Sequence, residues 1–283
     1  VHDTSNRITN MDLRIVNRKT HFPTVAAIFS LLLTAVAGSG AEISIIPKLK
    51  QGQHVNISAI GTSLTAPDCS SWFGEMGAWL NAQYPGLVTL DNEGISGSAS
   101  SHTSWYASDV SGLGVQLPAA LNHNPDAIFI EFAINDASTD VGISPALSKQ
   151  NLQTMIDRIK AWATSQNKSV DIIVQTMNNE PLSGLRPNLA TYYQGYREVA
   201  AANGVALIDH YPSWLDLYNS EADHARWFSY VPDHVHPGPL GTEKLILPEI
   251  ERAMMTQTPE PGTLPLLGTP LCLLLAYAWR KRR

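Results

Sequence analysis

Cysteine is nearly absent from this 283-residue chain, which carries only Cys69 and Cys272. Cys272 falls in an apolar segment near the C-terminus, so the remainder holds one thiol and no disulfide framework is open to it. Cys69 stands at the head of the helix-like stretch 70–83 and reads as a semi-buried structural thiol rather than a nucleophile. Charge is also sparse, at 16% of residues, and basic charge is scarcest in the middle of the chain. Eight of the 19 Lys and Arg residues lie before position 41 or after position 258, against three of the 25 acids, which leaves the middle near −11. Such a surface repels phosphate backbones and excludes nucleic acid as a partner. His-Glu-x-x-His is missing, and no internal repeat or low-complexity linker breaks the middle.

Long apolar runs are confined to the two ends. Met11 is a plausible true start, followed by Arg14, Arg18 and Lys19, an apolar run from Phe22 to Val36 and the small residues Ala35 to Ala41. This pattern reads as a leader and secretory signal peptide over 1–41, with signal peptidase as its partner and export as its consequence. At the other end, Pro259-Glu260-Pro261 precedes an apolar run from Leu264 to Trp279 and the cluster Arg280-Lys281-Arg282-Arg283. Sixteen helical residues would span roughly 24 Å against a hydrocarbon core of about 30 Å, a marginal permanent span. The segment 259–283 resembles a PEP-CTERM sorting signal. That resemblance implies an exosortase-like processing enzyme, transient membrane association, and a bacterial cell envelope or extracellular matrix as destination. An ordinary membrane anchor is the alternative at either end.

Between these ends, the stretch 42–258 suits one domain with a sizeable core. Short β-branched apolar runs at His54–Ile60, Leu87–Asp91, Ala127–Phe132, Val170–Gln175 and Val205–Asp209 predict strands. Helical spacing of apolar residues predicts helices at Ser71–Gln83, Asn151–Thr164, Leu189–Ala202 and Thr242–Met255. Alternation of this kind predicts a three-layer α/β/α domain with a parallel sheet. In such sheets, ligands bind beyond the carboxyl ends of the strands.

Several polar motifs fall on those loops. Ser63 lies in Gly61-Thr62-Ser63-Leu64-Thr65, three residues past the first predicted strand, and Asp233-His234-Val235-His236-Pro237 stands near the end of the stretch. A serine hydroxyl is a weak nucleophile until an imidazole removes its proton, and the imidazole needs a partner that sets its tautomer. Asp233 and His236, spaced Asp-x-x-His, supply base and orienting carboxylate on one turn. Asn92-Glu93-Gly94-Ile95-Ser96-Gly97 and Glu131-Phe132-Ala133-Ile134-Asn135-Asp136 follow the second and third strands. Taken singly, each has another reading: turn glycines at 94 and 97, a helix cap at Asn135-Asp136, a loop cap at Asp233 and His236. His234-Val235-His236 also has the look of a two-ligand metal site, but no further ligand is spaced to complete it, so no metal or other cofactor is expected.

The four blocks in this order resemble the SGNH (GDSL-type) hydrolases over roughly Val55 to Met255. The resemblance implies the flavodoxin-like fold of that family, with Ser63, His236 and Asp233 as triad. It also implies an oxyanion hole made by the backbone N–H of Ser63, that of Gly97 and the side-chain amide of Asn135. Thr62 stands where the family has Asp, and Ala133 where it has Gly. Thr62 can still hydrogen-bond locally, and the Ala133 methyl is expected to narrow the site. No Gly-x-Ser-x-Gly elbow surrounds Ser63, which argues against the α/β-hydrolase fold.

After Gly97 runs a polar stretch of serines with Trp105 and Tyr106, and Trp227 and Tyr230 stand just before Asp233. These four aromatics read either as platforms for sugar faces or as core residues. The expectation is a short-chain acyl esterase, acetyl above all, acting on carbohydrate. A general short-chain esterase or lysophospholipase, an acyltransferase, and a matrix protein that binds polysaccharide without turnover remain as alternatives.

Overall fold

The computed structural model describes residues 41–256 apart from positions 105, 106 and 221. The leader before Ala41, the tail at 259–283, and Trp105 and Tyr106 therefore lie outside the described residues. Five strands, β1 (Val55–Gly61), β2 (Val88–Asn92), β3 (Ala127–Glu131), β4 (Asp171–Thr176) and β5 (Ala206–Asp209), form one sheet in the order β2-β1-β3-β4-β5. Every pairing is parallel. All five coincide with the predicted runs to within one or two residues. Strands β1, β3 and β4 are buried almost throughout, where a β-branched run has few other ways to satisfy its backbone, while the edge strand β2 is only half-buried.

The α-helices among the described residues are α1 (Ile45–Lys50), α2 (Trp72–Gln83), α3 (Leu117–Asn122), α4 (Ala133–Asp136), α5 (Pro145–Ser165), α6 (Leu189–Asn203), α7 (Tyr211–Asn219), α8 (His224–Tyr230), α9 (Pro239–Gly241) and α10 (Leu247–Met255), with π-helical turns at Gly112–Gln116 and Thr242–Ile246 leading into α3 and α10. Helices α3, α5 and α6 pack together, and α1, α2 and α10 form a second group. Right-handed crossovers explain the division. The chain moves one way along the sheet through α2 and the other way through α5 and α6, so the connecting helices fall on opposite faces. Between them, both faces of β1 and β3 are closed off by a core that includes Ile57, Phe129, Ile130, Trp72 and Tyr196.

Helix α5 starts six residues before the predicted Asn151, because Ser144 caps it by accepting the Leu147 N–H at 3.2 Å and Pro145 suits the first turn. Helices α7 and α8 had no predicted counterpart. Each is under ten residues, too short for its periodicity to register. Among the described residues, no helix is long and apolar enough to cross a membrane.

Candidate active site

The strand order reverses between β1 and β3, and the loops leaving these two neighbours diverge to open a crevice. Ser63 follows β1 and Asn135 follows β3. Gly61 pairs with Glu131 across the two strands, and a Cβ at Gly61 would lie 2.7 Å from the Glu131 carbonyl oxygen, so only glycine lets the chain turn this close to its neighbour. Thr62 then meets the Glu131 carboxylate, donating its hydroxyl at 2.7 Å and its N–H at 3.2 Å. Thr62 Oγ1 in turn accepts the N–H of Leu64 at 3.2 Å. The expected local role of Thr62 is thus a set of three bonds that brace the residues on both sides of Ser63.

Ser63 is 8% exposed, and its Oγ lies 2.8 Å from His236 Nε2. His236 Nδ1 lies 2.6 Å from Asp233 Oδ2, while Asp233 Oδ1 accepts the backbone N–H groups of Val235 at 3.0 Å and His236 at 2.7 Å. One carboxylate oxygen of Asp233 thus caps the loop while the other meets the imidazole. Partial burial opposes ionisation of Asp233, but the N–H donors of His236 and Val235 and the imidazole outweigh it and hold the carboxyl below its usual range. The turn depends on His234, which adopts φ of 70°, a region that side chains other than glycine seldom enter. Asn178 holds the same loop from β4, its Nδ2 donating to the Val235 carbonyl at 2.9 Å.

Gly97 has φ of 75°, so its place in the turn after β2 requires glycine for backbone reasons. Asn135 is 4% exposed, and its Nδ2 donates to the Ser98 carbonyl at 2.9 Å. It does not cap a helix; it lies inside the single turn α4. Asp136 beside it is buried and accepts the Ser100 N–H at 2.9 Å and the Ser148 hydroxyl at 2.6 Å, which ties the loop after β2 to α5. Ser98 is likewise turned inward, donating to the Gly61 carbonyl at 3.0 Å and accepting from Gln116 at 2.8 Å. The Gln116 side chain also accepts the Gly61 N–H at 2.8 Å, so one buried amide fixes the loops of Ser63 and Gly97 relative to each other.

Three sequence expectations need correction. Trp227 is wholly buried, its Nε1 donating to Asn179 Oδ1 at 2.8 Å, so its ring is a core residue and not a sugar platform. Tyr230, by contrast, is only half-buried where it packs against the same core. Ala133 is 1% exposed within the core, so its methyl does not narrow the site. Cys69 is exposed rather than semi-buried, with its sulfur 3.3 Å from Ser96 Oγ. The ring of His234 stacks on Trp227 at 6.5 Å between centroids and meets Phe228 edge-on at 5.5 Å.

Sequence reasoning quoted Glu131 within its block without a role, gave Asp136 only as part of a helix cap, and passed over Gln116, Asn178 and Arg186. The last three are lone polar residues without motif spacing. Arg186 reaches Asn135 and also lines a cavity of about 290 Å³ with Asn179, Glu180, Tyr211 and Tyr218.

A flavodoxin-like sheet that carries serine, imidazole and carboxylate in one hydrogen-bonded line at its switch point has the arrangement of a serine hydrolase. A sequence profile of the GDSL-like lipase/acylhydrolase family matches residues 59–244, and the chain belongs to this family of carboxylic ester hydrolases. Solved structures share its fold. A lipase/acylhydrolase from Enterococcus faecalis is 23% identical, with a TM-score of 0.53 over 70% of this chain and 95% of that one. An acetylxylan esterase from Geobacillus stearothermophilus is 17% identical, with a TM-score of 0.56 over 72% and 96%. An α/β hydrolase from the metagenome of Lake Arreo, Spain, is 19% identical, with a TM-score of 0.53 over 71% and 95%. Comparison with curated protein sequences gives no match.

Proposed function

We propose that this chain is an exported serine esterase that removes short acyl groups, acetyl above all, from carbohydrate. The observation that carries the catalytic part is the unbroken line from Asp233 Oδ2 through His236 to Ser63 Oγ, with steps of 2.6 and 2.8 Å. Asp233 holds Nδ1–H, which leaves the Nε2 lone pair facing the serine. Ser63 Oγ attacks the ester carbonyl carbon as His236 Nε2 takes its proton. That proton then passes to the departing alcohol oxygen, and water repeats the sequence to release the acid and restore Ser63. The backbone N–H groups of Ser63 and Gly97 and the amide of Asn135 receive the charge on the carbonyl oxygen. Each such donor is typically worth about 3–4 kcal/mol in the barrier.

Carbohydrate is favoured as the leaving group on two grounds. Among solved structures of this fold are acetylxylan esterases. With Trp227 removed from consideration, Tyr211 and Tyr218 in the cavity beside Arg186 offer aromatic faces next to Asn179 and Glu180, a mixture suited to a sugar ring. Export rests on the leader and tail patterns of the sequence.

The deciding experiment assays residues 42–258 on acetylated glycans and on aryl esters of increasing acyl length, beside a Ser63→Ala control. Activity that is highest on acetyl and is lost in the control is expected. A preference for long acyl chains would replace the carbohydrate reading with a lysophospholipase. Failure of a serine-directed phosphonate to label Ser63 would leave a binding protein without turnover.

A further inference from the structure

We propose that Arg186 is the positioning residue that sets which way the Asn135 amide faces. The inference rests on the oxyanion role given to Asn135 above. An asparagine amide has an accepting end and a donating end, and only the donating end can stabilise an oxyanion. Around Asn135 the two ends have separate partners. Arg186 Nη2 donates to Oδ1 at 3.2 Å, while Nδ2 donates to the Ser98 carbonyl at 2.9 Å. A guanidinium has no acceptor, so it meets only the oxygen end. With Oδ1 pinned there and one N–H committed to Ser98, the second N–H has no partner among the described residues and is the one available to substrate.

The guanidinium is itself fixed on two further sides. Its Nε donates to the Ile134 carbonyl at 2.7 Å, and Nη1 lies 3.3 Å from Glu180 Oε2. The side chains of Arg186 and Glu180 are 8% and 0% exposed. Ser183 donates its N–H to Glu180 Oε1 at 2.8 Å and its hydroxyl to Oε2. The planar fork thus spans Ile134, Asn135 and Glu180 at once, locking the β4–α6 loop onto α4. A lysine, with one point of charge, cannot hold three acceptors in that plane.

The test uses an aryl acetate, which has no sugar to reach the cavity, and reads kcat and KM separately. Arg186→Lys keeps a cation beside Glu180, so the buried carboxylate is not left alone. Its kcat should fall by about tenfold or more with KM within about threefold, because the lost contribution belongs to the transition state. Placed on top of Asn135→Ala, the same change should cost less than about twofold, since no amide remains to be aimed. As a second variant, Arg186→Met in a Glu180→Gln background removes both charges together and should follow the same pattern relative to Glu180→Gln. An equal kcat loss with and without Asn135 would make Arg186 a general structural brace and overturn the proposal. So would an unchanged kcat in Arg186→Lys when Asn135→Ala is impaired. If Asn135→Ala itself keeps wild-type kcat, the oxyanion reading fails first and this inference falls with it.

Discussion

His236 Nε2 stands 2.8 Å from Ser63 Oγ, although 173 positions separate the two residues in the chain. The contact is made by two loops with no shared element. One is the turn after β1, braced by Thr62 on Glu131, and the other is the Asp233 turn, held by Asn178. Neither loop contributes a large apolar side chain at the contact, so the chemistry can be deleted with little loss of packing. Ser63→Ala and His236→Ala should each lower kcat by on the order of 10⁴–10⁶ while the urea midpoint stays close to wild type, and the double variant should be little worse. Near-normal turnover in Ser63→Ala would remove Ser63 as the nucleophile.

Asn135 gives a second kinetic outcome. Asn135→Ala should reduce kcat by about 10²–10³ with a small change in KM, as expected for a donor that acts on the developing oxyanion. Asn135→Asp should be slower still, because it sets a carboxylate against that charge and beside the Ser98 carbonyl. Steady-state kinetics on one acetyl ester decides the matter, and a change confined to KM would reassign the residue to ground-state binding.

Glu131 should make stability depend on pH. Burial raises its carboxyl to about 7; bonds from the Thr62 hydroxyl and N–H pull the other way, and Asp136 adds to the rise. Since the folded value exceeds the ordinary 4.5, the folded state holds the extra proton between the two, and stability falls as pH climbs through that window. Asp136, raised to about 6 by its own burial, acts with the same sign. Glu131→Gln cannot ionise. It should therefore gain on wild type from pH 4.5 to 8, by on the order of 3 kcal/mol at the upper end. Urea unfolding at both pH values measures the gain, and a difference that stays constant with pH would show that Glu131 does not titrate there.

For Trp227 the expected effect is on folding. Trp227→Phe leaves Asn179 Oδ1 without its 2.8 Å donor and should cost about 1–3 kcal/mol in chemical denaturation. KM for a glycan substrate should hold. A raised KM at unchanged stability would return Trp227 to the binding surface.

Processing of the ends is testable by intact-mass measurement on protein from a host with the sorting machinery. The mature N-terminus should fall between Gly38 and Glu42 and the C-terminus near Pro259–Pro261, with the domain outside the cytoplasmic membrane. Removing Arg280–Arg283 should impair retention before processing, because a basic cluster opposes translocation of so short an apolar segment. Recovery of membrane-embedded protein still ending at Arg283 would identify a plain anchor.

The central strands and the long helices were legible in the chain because burial on both faces of a parallel strand leaves a continuous apolar run, and an amphipathic helix leaves its own period. Ser63, Asp233 and His236 were legible as candidates because local spacing carries the chemistry proposed for them: three residues past a predicted strand for one, one turn of Asp-x-x-His for the others. What tertiary structure alone decided were the relations between loops. Trp227 and Tyr230 look alike in the sequence, each a few residues before Asp233, yet one is sealed in the core and the other half-buried, because exposure is set by what packs on top. Glu131 stood at the head of its block without a role, Gln116 and Arg186 looked like isolated polar residues, and all three became braces of the site only when folding placed Thr62, Gly61 and Asn135 against them. The physical reason is range. Hydrophobic period and turn chemistry act within a few residues, whereas a buried hydrogen bond selects its partner by position in space, at any distance along the chain.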